Sequence, residues 1–439
     1  MKSHYLRTFS FLKPHWKTLC ITLFIILIYA AANVFFIPLI RDISKEITKK
    51  RTQYIYMQIL NAFVLWSIRI FAQFGQNYMT NKIGNRMMLD IQETIYKKLT
   101  FCSQHFYAKW KTGELFVRLF DDSGKVKESI IITFSQIIPQ FITMIAVVCY
   151  LFTMNWALTL FTFITIPAFV LTISYFSNLI KKLAQQVQKK SSNITHIIQE
   201  TIANMKLVQA YTMEDESLKK LQRENNKNFN FTMTAVRLWE TKKSIELLLQ
   251  GIVIITLILF GGQLVAQDKL TGPELISFFT GCALLIDPII AFSQGYTKIQ
   301  ESLVSSKRLF DIIDYDPQVK NPINGIKKTI TGDVHLQDMS FSYEKKQHVL
   351  ENINLKVKAG QSIAIVGLSG AGKTTLTNLI ARFYDASSGS ILIDNHPIQT
   401  FDLYNLRSQI AMVLQDSMLF SGTIMENIKF GEPNATEEM

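Results

Sequence analysis

Nine residues, Gly367-Leu-Ser-Gly-Ala-Gly-Lys-Thr-Thr375, have the types and spacing needed to hold a phosphate. A glycine at each end, Gly367 and Gly372, lets successive backbone N–H groups curl around phosphate oxygens, and Lys373 brings an ammonium to the outer phosphates. Ser369, Gly370 and Thr375 belong to the same cradle. The Thr374 hydroxyl is placed to reach a magnesium ion that bridges the terminal phosphates.

Such a loop works only between a strand that stiffens it and a helix whose amino-terminal dipole faces the anion. The apolar run Ser362-Ile-Ala-Ile-Val366 predicts the strand, and a helix is expected from Lys373 to Arg382. Upstream, Val334 to Tyr343 alternates as a strand does. Asn352 to Val357 does the same, and Lys358 to Gln361 reads as a turn. The sheet is therefore expected to open with antiparallel strands.

The rest of the chain is of another kind. Of 439 residues, 48% are hydrophobic and 12% aromatic, a richness that points to a membrane protein. The formal charge of +12 is spread along long connections beside apolar runs. Attraction to anionic lipid accounts for that distribution, and no nucleic-acid partner is expected. Cys20, Cys149 and Cys282 lie inside apolar runs and Cys102 stands alone, so no disulfide or metal spacing is present.

Residues 5–16 recur as an amphipathic helix at a headgroup surface. Six spans are then expected at about 19–40, 54–74, 134–154, 156–176, 245–266 and 275–292, each near the roughly 20 residues a bilayer needs. The first could be mistaken for a secretion signal, but its apolar run continues past Ala30 to Ala32. Spans two and three, and four and five, are separated by roughly 60 to 70 residues. The stretches Asn77 to Ser103 and Ile180 to Glu240 hold no proline and one glycine, Gly84, so they predict helices that continue into water before turning back. About 25 extra residues reach on the order of 40 Å.

Lys82, Arg86, Lys97, Lys98, Lys181, Lys182, Lys189 and Lys190 cluster on the side of these extensions, as cytoplasmic residues do. Arg41, Lys45, Lys49, Lys50 and Arg51 oppose that rule from the other face. The phosphate loop, which belongs where ATP is, decides for a cytoplasmic amino terminus. Arg69 and Asp287 are ionisable groups within spans; Asp287 reads equally as a pathway residue or as a group near the interface. Residues 314–331 are rich in turn formers and are expected to be a linker between a transmembrane domain, 1–313, and a soluble domain, 332–439.

Taken together, these segments resemble an ATP-binding cassette exporter of the half-transporter kind, from end to end. The resemblance implies six membrane helices with long cytoplasmic extensions, followed by an α/β P-loop nucleotide-binding domain with an antiparallel β part. Tyr343 is similar to the aromatic residue that stacks on adenine. Gln415, in Ile410-Ala-Met-Val-Leu-Gln-Asp416, is similar to the family's Q-loop glutamine, which implies a role at magnesium and the attacking water. Phe106 to Asp122 and Glu200 to Asp215 look like the two cytoplasmic turns whose short coupling helices dock on nucleotide-binding domains. ATP and magnesium are the implied cofactors. A second half-transporter, identical or not, is the implied partner, beside membrane lipid. The cargo implied is an amphipathic or apolar small molecule, lipid or peptide, moved across a plasma or inner membrane.

Up to Met439 the chain carries no signature segment, no strand ending in aspartate and catalytic glutamate, and no switch histidine. The expectation is an incomplete domain in which Lys373 holds phosphate without hydrolysis, since in-line attack needs a base within hydrogen-bond reach. Two alternatives to the exporter are a shortened, non-catalytic membrane protein that binds nucleotide or regulates a full-length partner, and a passive channel or scaffold carrying a vestigial P-loop.

Overall fold

The computed structural model describes the backbone of residues 2–343, 348–414, 419–432 and 436. Side chains at 2, 3, 164–170, 173, 174, 177, 178, 181, 185 and 293 lie outside that description, so the basic side chain expected at Lys181 falls there. The chain divides into two compact units, one of residues 2–88 and 125–303, the other of 89–124 and 304–439.

The first unit is helical. A short helix α1 (Lys2–Thr8) and a 3₁₀ turn lead into α2 (Trp16–Thr48), and α3 (Thr52–Thr100) follows after a tight turn. At 1.5 Å per residue, the 49 residues of α3 run about 73 Å, far beyond an apolar core of about 30 Å. Beyond α4 (Gln104–Lys109) and α5 (Thr112–Val117), which belong with the end of α3 to the second unit, the chain returns through α6 (Ser123–Ile132) and α7 (Ile138–Met154). Helix α8 (Trp156–Ala203) then leads out to α9 (Met205–Ala210), and α10 (Glu214–Ala266) comes back. Among the described residues, five helical stretches are long and apolar enough to cross a membrane: His4–Thr48, Thr52–Thr100, Thr112–Met154, Glu214–Ala266 and Gly272–Ile313. The fourth expected span begins α8, part of whose side chains lie outside the description.

Local chemistry sets the breaks. Asn155 is extended and its side chain accepts a bond from the Leu158 N–H at 2.9 Å, so a single residue caps α8 and separates it from α7. Thr271 and Glu274 form a capping box that starts α11 (Gly272–Leu284). The sixth expected span is not continuous: it breaks at Leu285, and α12 (Ile286–Ile313) begins after it. Pro288 explains this, because its ring clashes with the carbonyl four residues back, that of Leu284. Ile37, Val147, Leu151, Leu158, Leu257 and Phe278 form the apolar core between these helices. Within it the Ser277 hydroxyl donates to the Ile37 carbonyl at 2.9 Å.

In the second unit, four antiparallel strands pair in the order β2-β1-β3-β4. They are β1 (Val334–Phe341), β2 (Leu350–Val357), β3 (Ser388–Ile393) and β4 (His396–Pro397). Asp394 and Asn395, at φ +47° and +62°, make the two-residue turn from β3 to β4, a geometry that Asp and Asn tolerate better than most side chains. Leu336, Met339, Phe341, Ile391, Ile393 and Phe401 fill the core. Helix α13 (Lys373–Ile380) sets Leu376 and Leu379, three residues apart, into it.

One local expectation is corrected. Ser362 to Val366 is not a strand: the run is irregular and exposed, Val366 to 88%. An apolar run becomes a strand only where a neighbour takes up its N–H and C=O groups, and among the described residues no strand lies alongside it. The turn-rich stretch 314–331 is tied along the sheet. The Ile326 N–H donates to Thr400 O at 2.8 Å, the Asp402 N–H donates to Ile326 O at 3.1 Å, and Val319 is buried.

Candidate functional site

The phosphate loop lies between the irregular run and α13. Gly370 and Gly372 both adopt left-handed backbone, at φ +84° and +83°. A Cβ on Gly372 would sit 2.8 Å from Leu350 Cδ2 and 3.3 Å from Val349 O, so both conformation and space demand glycine there. Because Gly372 directly precedes α13, the first amides of that helix have no intrahelical acceptor and point toward the loop. Gly367, Ser369 and Gly370 are exposed, as is Thr374. The Lys373 ammonium folds over the loop, donating to Gly367 O at 2.9 Å and Leu368 O at 2.7 Å.

Tyr343 and Thr375 meet. Thr375 is buried, and its hydroxyl lies 3.1 Å from the Tyr343 hydroxyl. The Tyr343 ring stands edge-on to Phe341 at 4.8 Å and to Tyr384 at 5.1 Å, and remains 37% exposed. Burial, with Tyr343 beside it, pushes the Tyr384 phenol above its ordinary range. The structure thus brings together Gly367, Ser369, Gly370, Gly372, Lys373 and Thr374 on one loop, with Tyr343 held against Thr375 at its side. Gln415 lies outside the described residues.

These groups fit a nucleotide phosphate: free helix-start amides, left-handed glycines and a lysine whose present acceptors are two loop carbonyls that anionic oxygens can replace. For magnesium, Thr374 offers a hard oxygen of the kind that ion takes. Among the described residues, no cluster of three His, Cys, Asp or Glu forms a separate metal centre.

One supporting residue was not legible from the motif. Arg382, buried just past α13 at φ +52°, bonds Asp385 Oδ1 at 3.0 Å, Phe401 O at 3.4 Å and Lys320 O at 3.1 Å. Its only sequence hint is Asp385 three positions on.

Comparison with known proteins bears on these features. Residues 17–289 match the ABC transporter transmembrane region, and residues 350–439 match the ABC transporter family. An ATP-dependent lipid A-core flippase of Desulfotalea psychrophila (strain LSv54 / DSM 12343) is 31% identical over 431 residues, which cover 97% of this chain and 74% of that protein. The uncharacterized ABC transporter ATP-binding protein YknV of Bacillus subtilis (strain 168) is 29% identical, covering 98% of this chain and 72% of its own length. A bacterial Atm1-family ABC exporter solved with ATP bound superposes with a TM-score of 0.78 at 20% identity, over 96% of this chain and 75% of that one, a likeness of fold.

Proposed function

We propose, from the premise that this chain belongs to the ABC transporter family, that it forms one half of a dimeric ATP-driven exporter that moves an amphipathic or apolar substrate across a membrane by alternating access. The observation that carries this reading is the left-handed glycine loop under Lys373, opening α13, in a chain with five membrane-length apolar helices among its described residues. In this reading residues 1–313 are the membrane domain, 314–331 the linker and 332–439 nucleotide-binding, with the amino terminus and the loop on the cytoplasmic side.

The chain's own residues supply holding and positioning. Lys373 exchanges its two loop carbonyls for phosphate oxygens, and the amides around Gly370 and Gly372 donate to the same anion. Tyr343 offers a ring face to the base, leaving Thr375 free to turn toward the phosphates. Thr374 and Gln415 would hold magnesium, whose charge neutralises the terminal phosphates. Energy for transport comes from the difference in ATP affinity between two arrangements of the dimer, which is what shifts their populations.

A lipid is the favoured cargo. The flippase named above supports it, as do spans with few charges. The apolar window of α3 is only 6% buried within the chain, which suits a surface for lipid or a second copy. The test is MgATP-dependent uptake of fluorescent phospholipids and dyes into inside-out vesicles from cells that express the protein, where its partner is in place. Loss of uptake in Lys373→Ala is expected, with MgATP affinity of the purified protein down about 10- to 100-fold, the worth of a charged hydrogen bond. Nucleotide-independent flux of every probe, unchanged by Lys373→Ala, overturns the reading.

A further inference from the structure

Helix α12 packs on its neighbours through small residues. Pro288, Ala291, Gly295 and Ser302 are buried along one side of it. A Cβ on Gly295 would clash with the Ile137 side chain, the Phe292 ring meets Phe141 edge-on at 6.3 Å, and the Ser129 hydroxyl donates to Ser302 Oγ at 2.9 Å. A second side is left uncovered by the chain. Asp287, Gln294, Thr297 and Glu301 are exposed there at intervals of seven, three and four residues, the spacing of one helix face.

Such a face does not suit hydrocarbon, because polar and charged groups within a span are costly unless they meet water or a partner. Glu301 is provided for: Lys298, which donates to Glu128 at 2.8 Å, lies 3.7 Å from it. Asp287 is not. Among the described residues it makes no hydrogen bond or ion pair, and Lys298 stands about 16 Å further along the helix. Counted from the capping box that starts α11, Asp287 comes about 22 Å into the span, short of the roughly 30 Å of an apolar core.

The break beside it adds a second acceptor. Pro288 has no N–H, so the Leu284 carbonyl at the end of α11 lacks the donor that a continuous helix would supply. Discontinuous membrane helices hold cations on carbonyls freed in this way. The neighbours decide the kind of cation. Hard metal ions collect about six oxygens, and among the described residues no cluster of three His, Cys, Asp or Glu is present to provide them. Ile286 and Ile290, 37% and 49% exposed, flank the carboxylate instead. An acid set between apolar side chains matches an ammonium carried on an apolar tail.

We propose that Asp287 and the Leu284 carbonyl form a subsite for the ammonium group of an amphipathic cargo. This deepens the exporter reading given above and rests on it: among lipids, the subsite selects those with an amine in the head group.

Equilibrium binding to the full chain in phosphatidylcholine nanodiscs, without nucleotide, tests it. The probes are a dansyl-labelled long-chain alkylamine and its neutral N-acetyl form, read by energy transfer from tryptophan against empty discs. In N-methylglucamine chloride the wild type should bind the amine about tenfold more tightly than the acetyl form, as a charged hydrogen bond allows. Asp287→Asn should bring the two affinities within about twofold of each other and leave that for the acetyl form unchanged. No preference in the wild type, or a preference that Asp287→Asn leaves intact, overturns the proposal. Loss of the preference when sodium or potassium chloride replaces the N-methylglucamine salt assigns the site to a free alkali ion and overturns it as well. If Asp287→Asn is not recovered, Glu301→Gln and Glu128→Gln decide: a preference that survives both supports Asp287, and one that either abolishes overturns it. Neither nucleotide nor transport enters the measurement, so the exporter reading fails separately, by an absence of MgATP-dependent uptake in a chain that still prefers the amine.

Discussion

The two turns at the far ends of the long helices start from similar residues and finish in opposite conditions. In the first, Phe106, Leu115, Arg118 and Asp122 are buried, the aromatic rings stacked and the charges bonded to the end of α12. In the second, α9 buries no residue, and Leu207 and Tyr211 are 57% and 67% exposed. An amphipathic tip states that one face will be covered and leaves open by what. The first turn finds its cover inside the chain. The second leaves its apolar surface exposed, which suits contact with a second copy in the proposed dimer.

The comparison breaks most readily at Phe106. Phe106→Ala removes a fully buried ring and should cost about 3–5 kcal/mol, read by denaturant unfolding followed through the fluorescence of the adjacent Trp110. Leu207→Asp should cost no more than about 0.5 kcal/mol in the same measurement, as exposed substitutions do. Equal losses would erase the distinction between the turns. Leu207→Asp should instead weaken the dimer, measured by sedimentation in detergent, by about tenfold, the effect of one interface residue worth over 1 kcal/mol. An unchanged dimer would mean that α9 meets solvent only.

The smallest effect sharpens the picture of the anchored unit. Burial would raise Asp394, but its hydrogen bonds from the Thr331 hydroxyl and the Thr331, Asp333 and Gly332 amides outweigh this and hold it at about 2. With the folded value below the ordinary 3.8, its stabilisation is complete above about pH 4 and lost as pH falls through 2. Asp394→Asn should therefore be less stable than the wild type at pH 6, with the gap narrowing in thermal melts as pH falls from about 4 toward 2. A gap that stays constant with pH would show that the charge contributes nothing.

Much of this architecture is legible in the sequence, and the limits have physical causes. The phosphate loop shows because glycine at fixed spacing reports backbone conformation, and Gly370 and Gly372 do adopt left-handed φ. The spans show because apolar length is a composition signal, and the α7–α8 break falls at Asn155, where a capping side chain stands. Pairings between distant residues do not show. Nothing near Arg118 announces the Arg308 carbonyl 190 residues on, and nothing in 314–331 distinguishes a free linker from one pinned at Ile326 and Lys320. Ser362 to Val366 misleads for the same reason, since strand propensity is a property of the residues but a strand is a property of the pair.

That exposed run has a consequence in time. The antiparallel strands close over loops of tens of residues within one stretch of chain, and α13 seats Leu376 and Leu379 on them, so this body can assemble early. Among the described residues no strand lies beside Ile363 to Val366, and their apolar side chains stand in solvent next to the loop. The loop is thus braced by α13 on one flank and by no strand among the described residues on the other, so its backbone is expected to open sooner than the sheet does.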